Sequence, residues 1–328
     1  MNKSLANMHF EGWPNVICSQ QFDRAWLEGI FLPMTDDMEQ IVLNNGCNLL
    51  QGRRMVSLFY QPSTRTRMSF EFAMHYLGGT VPFSSENARE FSSGKKGETL
   101  KDSIMVIGCY RPDVIVLRYD KEIGARFAAE VSRVPIINAG DRAPETGNMG
   151  DMGQHPTQAL LDLRTIFKHR GSIDGLRIAM VGDLDKGRTV RSLAYLLGKF
   201  TDVYIYFVSP PNTRMGEDVK LYLHKHKVAF FESVDLREVA PKVDVLYQTR
   251  AQIECGTLMD KSQGFFDVDM SIANSMKEDA IIMHPLPRVD EISTEVDDDH
   301  RAVYLTKQVE SGLYTRMALL KMILAPNA

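Results

Sequence analysis

Met55-Val56-Ser57-Leu58-Phe59-Tyr60-Gln61-Pro62-Ser63-Thr64-Arg65-Thr66-Arg67 decides how the rest of the chain is read. Met55 to Tyr60 is a short apolar strand and Pro62 stops it. Phe70, Ala73, Met74 and Leu77 then recur at the i, i+3, i+4, i+7 spacing of a core-facing helix, which Gly78-Gly79 ends. The turn between strand and helix carries the hydroxyls of Ser63, Thr64 and Thr66 and the guanidiniums of Arg65 and Arg67. Ser63 or Thr64 falls near the N-cap, where unused backbone N–H groups and the positive end of the helix dipole favour an anion. Arg65 adds two parallel donors. Cations in a first turn oppose the dipole unless an anion joins them, so the stretch reads as a phosphate site rather than an ordinary capped helix.

Working outward, apolar strands alternate with amphipathic helices, the pattern of parallel sheets covered by helices. Expected strands are Met55 to Tyr60, Asp113 to Leu117, Val134 to Asn138, Arg177 to Val181, Val203 to Val208, Asp244 to Gln248 and Ala280 to Met283. The first three and the last four form two groups. Between them Gln158 to Lys168 reads as a helix linking two domains, with Leu160, Leu161 and Leu163 apolar and Asp162 and Arg164 exposed. The last helix, Gly312 to Leu324, is expected to pack back onto the first domain. The fold class is therefore α/β: two doubly wound domains, each a parallel sheet covered by helices, joined by interdomain helices. The domains are 1–154 plus 312–328, and 155–311. Gly140 to Gly153, rich in Gly, Asp and Met, reads as a loop.

At 328 residues the chain has room for two cores, and 44% hydrophobic with 24% charged is ordinary for a globular protein. The formal net charge of -4 speaks against nucleic acid as the main partner, so the cations around Ser63 are a local device. Cys18, Cys47, Cys109 and Cys255 form no Cys-x-x-Cys pair and have no His at ligand spacing, which signals neither a metal site nor a disulfide framework and fits a reducing compartment. Met1 to Pro14 lacks the apolar core of a secretory signal and the pattern of a transit peptide. No apolar run approaches the ~20 residues that cross a bilayer.

Ligands of open α/β sheets bind beyond the carboxyl ends of the strands. The residues there include Ser63 to Arg67, Arg118, Gly182-Asp183 with Gly187-Arg188-Thr189, Thr249-Arg250-Ala251-Gln252, and His284-Pro285-Leu286-Pro287-Arg288. Arginine recurs among them, which suits a substrate carrying several negative charges. His155-Pro156-Thr157-Gln158 opens the linking helix. A neutral imidazole there can donate to a carbonyl oxygen as it becomes negative, and a Gln can accept from an amide nitrogen. Pro285 and Pro287 leave backbone carbonyls that no helix or sheet claims, acceptors for an NH₂ group. Ser92 to Leu100, with Gly94, Gly97, Lys95 and Lys96, reads by composition as a solvated mobile loop. No Gly-x-Gly-x-x-Gly follows a strand and no Gly-x-x-x-x-Gly-Lys-Ser/Thr is present, which weakens dinucleotide and nucleoside triphosphate readings. His224-Lys225-His226 reads as a solvated basic face.

From about Gln21 to Leu324 the chain resembles the carbamoyltransferase family, in its aspartate-using branch. The resemblance rests on Ser63 to Arg67, Lys95-Lys96-Gly97-Glu98-Thr99-Leu100, His155 to Gln158, Gly187-Arg188-Thr189-Val190, Thr249-Arg250-x-Gln252 and His284 to Arg288, in the family's order. It implies a first domain that binds carbamoyl phosphate and a second that binds aspartate. Ser63, Thr64, Arg65, Thr66 and Arg118 would hold the phosphate, with Ser92 and Lys96 supplied by a neighbouring subunit of a homotrimer. Thr66, Arg118 and His155 would face the carbonyl oxygen, and Gln158 with the carbonyls of Leu286 and Pro287 would take the carbamoyl NH₂. Arg188 would bind the α-carboxylate of aspartate, Arg250 and Gln252 its side-chain carboxylate, with Lys96 close by. Arg65, Thr66, Arg118, His155 and Lys96 are thus the implied catalytic set, acting without metal or cofactor in pyrimidine biosynthesis in the cytoplasm. The family's pattern also admits a regulatory subunit.

Three places depart from the family's pattern. Gly140 to Gln154 is long, Asp185 stands where a Lys is frequent, and Cys255 replaces a basic residue in the Ile253 to Phe266 stretch. These leave open a different amino or amide acceptor. A non-catalytic anion-binding paralogue is a further alternative, against which Arg65, His155, Gln158 and Arg250 stand.

Overall fold

The computed structural model describes residues 15–91, 93–121, 124–142, 153–251, 260, 262 and 264–327. The chain forms two compact units, Met1–Leu161 with Ser311–Ala328, and Asp162–Glu310. It passes from one to the other inside the helix Pro156–Arg170 and inside the last helix, Lys307–Leu324.

In the first unit four parallel strands, β1 (Arg54–Phe59), β2 (Thr80–Ser85), β3 (Val114–Arg118) and β4 (Ile136–Asn138), lie in the order β2-β1-β3-β4. The helices accompanying them are α1 (Leu32–Leu43), α2 (Thr64–Tyr76), α3 (Leu100–Cys109) and α4 (Gly124–Val131). β3 is buried along its whole length and β1 from Met55 onward, which is why both read as unbroken apolar runs. Phe70, Ala73, Met74 and Leu77 are all fully buried, so the stripe read from the sequence is the core face of α2. That helix closes with Gly79 N–H donating to Met74 O and Gly78 N–H to His75 O, both at 2.9 Å.

In the second unit β5 (Arg177–Val181), β6 (Tyr204–Val208), β7 (Ala229–Ser233), β8 (Val245–Gln248) and β9 (Ile281–Met283) lie in the order β7-β6-β5-β8-β9, again parallel throughout. α6 is Arg188–Leu197 and α7 Glu217–Lys225, while α5 (Pro156–Arg170) belongs to this unit only from Asp162 and α8 (Lys307–Leu324) only up to Glu310. A core of Val181, Leu246, Ile272, Ile282, Tyr304 and their neighbours packs against this sheet.

The seven expected strands are present with ends shifted by two residues at most, and two further strands, β2 and β7, join them. Both additions lie at sheet edges and neither has a fully buried residue; β2 is broken by Pro82 and ends in two serines, whereas β7 does contain the apolar Ala229-Phe230-Phe231, which the sequence reading passed over. Pro82 within β2 is tolerated because an edge strand has one unpaired side. In the Ser92 to Leu100 stretch, read as a solvated loop before a helix, Lys95, Lys96 and Gly97 are exposed and a helix does begin at Leu100. Ala88–Phe91 and Ser93–Lys96 form short helical turns, and Thr99 caps α3 by accepting from Asp102 N–H at 3.1 Å. Asp162 and Arg164, expected to face solvent, are buried, because α5 is enclosed around its whole circumference from Pro156 to Ile166. Asp162 is compensated there by Tyr247 Oη and Gln308 Nε2, each donating at 2.7 Å.

Candidate active site

Each sheet has a switch point where the strand order reverses, between β1 and β3 in the first unit and between β5 and β8 in the second. Loops leaving the carboxyl ends of those strands diverge to opposite sides and open a crevice. In the first unit they carry Ser63 to Arg67 and Arg118; in the second, Gly187-Arg188 and Thr249-Arg250.

Ser63 is the N-cap of α2 and makes no side-chain cap bond, the kind of helix N-terminus whose N–H groups suit an anion. Thr66 is buried, Ser63 half-buried and Arg65 exposed. The two other polar side chains of the turn face elsewhere. Thr64 Oγ1 donates to Glu86 at 2.8 Å, and Arg67 pairs with Glu71 at 3.1 Å and Glu86 at 3.0 Å while donating to Ser84 Oγ at 2.7 Å. Thr64 therefore offers an anion its backbone N–H rather than its hydroxyl. Of the two guanidiniums, that of Arg67 belongs to this ion-pair network, while that of Arg65 is on an exposed residue.

Arg118 stands opposite Phe59 in the β1–β3 register and is 8% exposed; its Nη1 donates to Ala139 O at 3.0 Å. His155 and Gln158 are buried at the start of α5, whose first turn is set by Gln158 N–H donating to His155 O at 3.0 Å. Gly140 brings Arg118 and His155 together. Its φ of +114° lies in the region glycine favours, and a Cβ there would fall 2.6 Å from Arg118 Nη1 and 3.1 Å from His155 Cδ2. Asn138 Oδ1 accepts from Gly140 N–H at 2.8 Å and holds that backbone in place. The sequence reading missed Gly140 and Asn138, although their position at the end of β4 and just beyond it was the available signal. Asp141 N–H donates to Gln154 O at 3.0 Å, closing the base of the long loop, of which 143–152 lie outside the described residues.

In the second unit Gly187 caps α6, again with no side-chain cap bond, and Arg188 is the first helical residue, half-buried. Gly182, at φ +111°, lets β5 and β8 end against each other: a Cβ there would lie 2.2 Å from Thr249 O. Thr249 donates to Val181 O through N–H at 2.8 Å and Oγ1 at 2.9 Å, which fixes where Arg250 leaves the sheet. Arg250 Nη1 donates to Ala251 O at 2.9 Å. After β9, Leu286 adopts φ +56°, and neither its carbonyl nor that of Pro287 accepts a hydrogen bond among the described residues. Arg288 is engaged by Asp297, with Nη2 to Oδ2 at 2.9 Å, and lies over the Tyr304 ring; it is a structural cation rather than a strand-end ligand.

Lys96 is exposed and makes no ion pair among the described residues. Ser92, Gln252 and Cys255 lie outside the described residues. Cys18, Cys47 and Cys109 are thiols that take part in no disulfide among the described residues. Among the described residues no group of three His, Cys, Asp or Glu could hold a metal. His224 is exposed, as expected, while His226 is half-buried, stacking on Tyr222 at 4.0 Å with Nδ1 2.8 Å from Tyr222 O.

Two adjoining family domains match the chain, one described as "Aspartate/ornithine carbamoyltransferase, carbamoyl-P binding domain" over residues 15–168 and the other as "Aspartate/ornithine carbamoyltransferase, Asp/Orn binding domain" over 174–323. The chain belongs to the aspartate/ornithine carbamoyltransferase family. Within this carbamoyltransferase family it is 52% identical to aspartate carbamoyltransferase 3, chloroplastic, of Pisum sativum, over 94% of this chain and 77% of that one. It is 44% identical to the aspartate carbamoyltransferase catalytic subunit of Thermococcus kodakarensis, over 94% and 96%. Among solved structures it is similar to Trypanosoma cruzi aspartate transcarbamoylase in complex with carbamoyl aspartate and phosphate, with TM-score 0.85, 38% identity and 98% of each chain covered. A carbamoyl phosphate complex of that enzyme matches with TM-score 0.84 at 37% identity, covering 98% of this chain and 97% of that one.

Proposed function

We propose that this carbamoyltransferase moves the carbamoyl group of carbamoyl phosphate to the amine of L-aspartate, giving N-carbamoyl-L-aspartate and phosphate. The observation that carries the reading is the match over 98% of both chains to an enzyme whose complex holds carbamoyl aspartate and phosphate. The intact strand-end residues of this chain support it.

In this reading the first unit is the carbamoyl phosphate domain. Ser63, Thr64 N–H, Arg65, Thr66 and Arg118 take the phosphate at the N-terminus of α2. Thr66, Arg118 and His155 donate to the carbonyl oxygen, and Gln158 with the carbonyls of Leu286 and Pro287 accepts from the NH₂. The second unit binds the acceptor, Arg188 on its α-carboxylate and Arg250 with Gln252 on its side-chain carboxylate. The amine attacks the carbonyl carbon, a C–N bond forms and the carbonyl oxygen becomes an oxyanion. Its collapse breaks the bond to the phosphate oxygen, and the amine proton leaves with the phosphate. Preorganised cations and N–H donors serve this chemistry by aligning two anions and stabilising a growing negative charge.

The proposed assembly is a homotrimer in which Ser92 and Lys96 serve a neighbour's site. The exposure of Lys96, of Met68 and Phe72 one turn apart on α2, and of Phe83 on β2 supports a surface meant for another subunit. The proposed setting is pyrimidine biosynthesis in the cytoplasm, consistent with the thiols of Cys18, Cys47 and Cys109; cell fractionation tests the compartment. No helix among the described residues is long and apolar enough to cross a membrane.

A panel of amines incubated with carbamoyl phosphate tests the activity. L-aspartate is expected to be carbamoylated well ahead of ornithine, glutamate and neutral amino acids. Inert aspartate beside a carbamoylated neutral or cationic amine would overturn the acceptor assignment.

A further inference from the structure

We infer that His284 and Glu291 are positioning residues that hold the Leu286-Pro287 backbone ready to recognise the NH₂ of the carbamoyl donor. The inference rests on the proposed role of those two carbonyls and deepens it.

Leu286 carries a branched side chain on a left-handed backbone at φ +56°, a strained conformation that persists only where its surroundings over-determine it. What determines it here is a chain of buried hydrogen bonds. Leu286 N–H donates to His284 Nδ1 at 2.7 Å, so that nitrogen is the unprotonated one and the ring proton sits on Nε2. Nε2–H then donates to Glu291 Oε1 at 2.7 Å, and both side chains are almost wholly enclosed, at 1% and 5% exposure. Glu291 in turn accepts from the Val289 and Asp290 N–H groups, at 3.2 Å through Oε2. The backbone of His284 is fixed from a third side, its N–H donating to Gln308 Oε1 at 2.9 Å while Gln308 Nε2 donates to buried Asp162.

A carboxylate, an imidazole in one tautomer and a backbone N–H thus form one line ending at Leu286. The device needs a neutral imidazole, since an imidazolium would meet the Leu286 N–H with a second donor. Burial pushes the His284 pKa down, opposed by the facing Glu291 and aided by the cations of Arg288 and Arg250. Glu291 is held below the usual carboxylate range by its bonds from His284 and the backbone, against the opposing effect of its own burial. Both charge states are therefore the ones the geometry requires.

Acetyl phosphate tests this, because it keeps the phosphate and carbonyl of the donor and replaces NH₂ with a methyl group. The wild-type protein is expected to bind carbamoyl phosphate about tenfold or more tightly than acetyl phosphate, the worth of one or two net hydrogen bonds. His284→Ala should bring the two affinities close together, chiefly by weakening carbamoyl phosphate. His284→Asn, whose Oδ1 can still accept from Leu286 N–H, should recover much of the preference. A merely structural role would weaken both ligands alike and leave their ratio unchanged. If wild type shows no preference, the reading of the Leu286 and Pro287 carbonyls fails; if wild type shows it and folded His284→Ala retains it, this inference fails. Should His284→Ala not fold, Glu291→Leu carries the same comparison, with a retained preference overturning the inference and a lost one supporting it.

Discussion

The N-termini of α2 and α6 are built alike and furnished differently. Both follow a central strand at a switch point, both lack a side-chain cap bond, and both carry an arginine in the first turn. The N-terminus of α2 carries Ser63 and Thr66, with Arg118 at the end of the neighbouring β3; α6 opens with Gly187 and Arg188, with Arg250 just beyond the end of the neighbouring β8. The difference follows the charge and shape of the proposed ligands. A phosphate has oxygens on all sides to satisfy, so donors surround it. A dicarboxylate has two separate flat ends, each suited to one guanidinium fork.

The largest expected effect breaks the α2 side. Arg65→Ala should lower kcat/KM on the order of 100-fold or more, since two charge-assisted bonds of about 1.5–3 kcal/mol each are lost. Arg65 is exposed and fills no core, so the unfolding midpoint should barely move. Steady-state rates with both substrates varied, beside a thermal melt, check this.

The α6 side should break differently. Arg250→Ala is expected to raise the KM for aspartate roughly tenfold to 100-fold, from ~1.5–3 kcal/mol of lost charged bonding, with little change in the KM for carbamoyl phosphate. A parallel rise in both constants would show that the two ends are not separate.

Gly140→Ala probes how the first unit keeps Arg118 and His155 in place without replacing any residue proposed to contact a ligand. The new methyl group would meet Arg118 Nη1 at 2.6 Å on a backbone at φ +114°. About 1–3 kcal/mol of strain should appear as a roughly tenfold fall in kcat. Assays beside a thermal melt separate displaced catalytic groups from general destabilisation.

The smallest effect is a control in the second unit. The hydrogen bonds from Arg301 hold the Asp299 carboxyl down at about 2, against the opposing effect of burial. A depressed carboxylate contributes stability that is fully present above its unfolded pKa, near 3.8, and is lost as pH falls through about 2. Asp299→Asn should flatten the acid-unfolding curve between about pH 4 and about 2 and leave both KM values unchanged.

How much of this was legible in the sequence depended on burial. The central strands β1, β3, β5 and β8 read as apolar runs because both their faces are covered, whereas edge strand β2 offers no such run and edge strand β7 offers only the short Ala229-Phe230-Phe231 before Glu232. The polar strand ends drew attention to Ser63 to Arg67, Arg118, Arg188 and Arg250 because charge beyond an apolar strand is conspicuous. Sequence could not separate ligand-binding arginines from structural ones, since Arg67 and Arg288 are taken up by Glu71, Glu86 and Asp297, acidic residues whose pairing is settled only by folding. Asp162 was misread for the same reason. A carboxylate on a helix is normally solvated, and its burial depends on Tyr247 and Gln308, both distant in the chain.

Titration of inorganic phosphate into the folded Arg65→Ala and Arg250→Ala proteins tests the division of labour most directly. Phosphate affinity should be lost in Arg65→Ala and stay within about twofold of wild type in Arg250→Ala, the scale of a change below ~0.5 kcal/mol. Equal losses in both proteins, or unchanged affinity in Arg65→Ala, would contradict the assignment of the anion cradle to the N-terminus of α2.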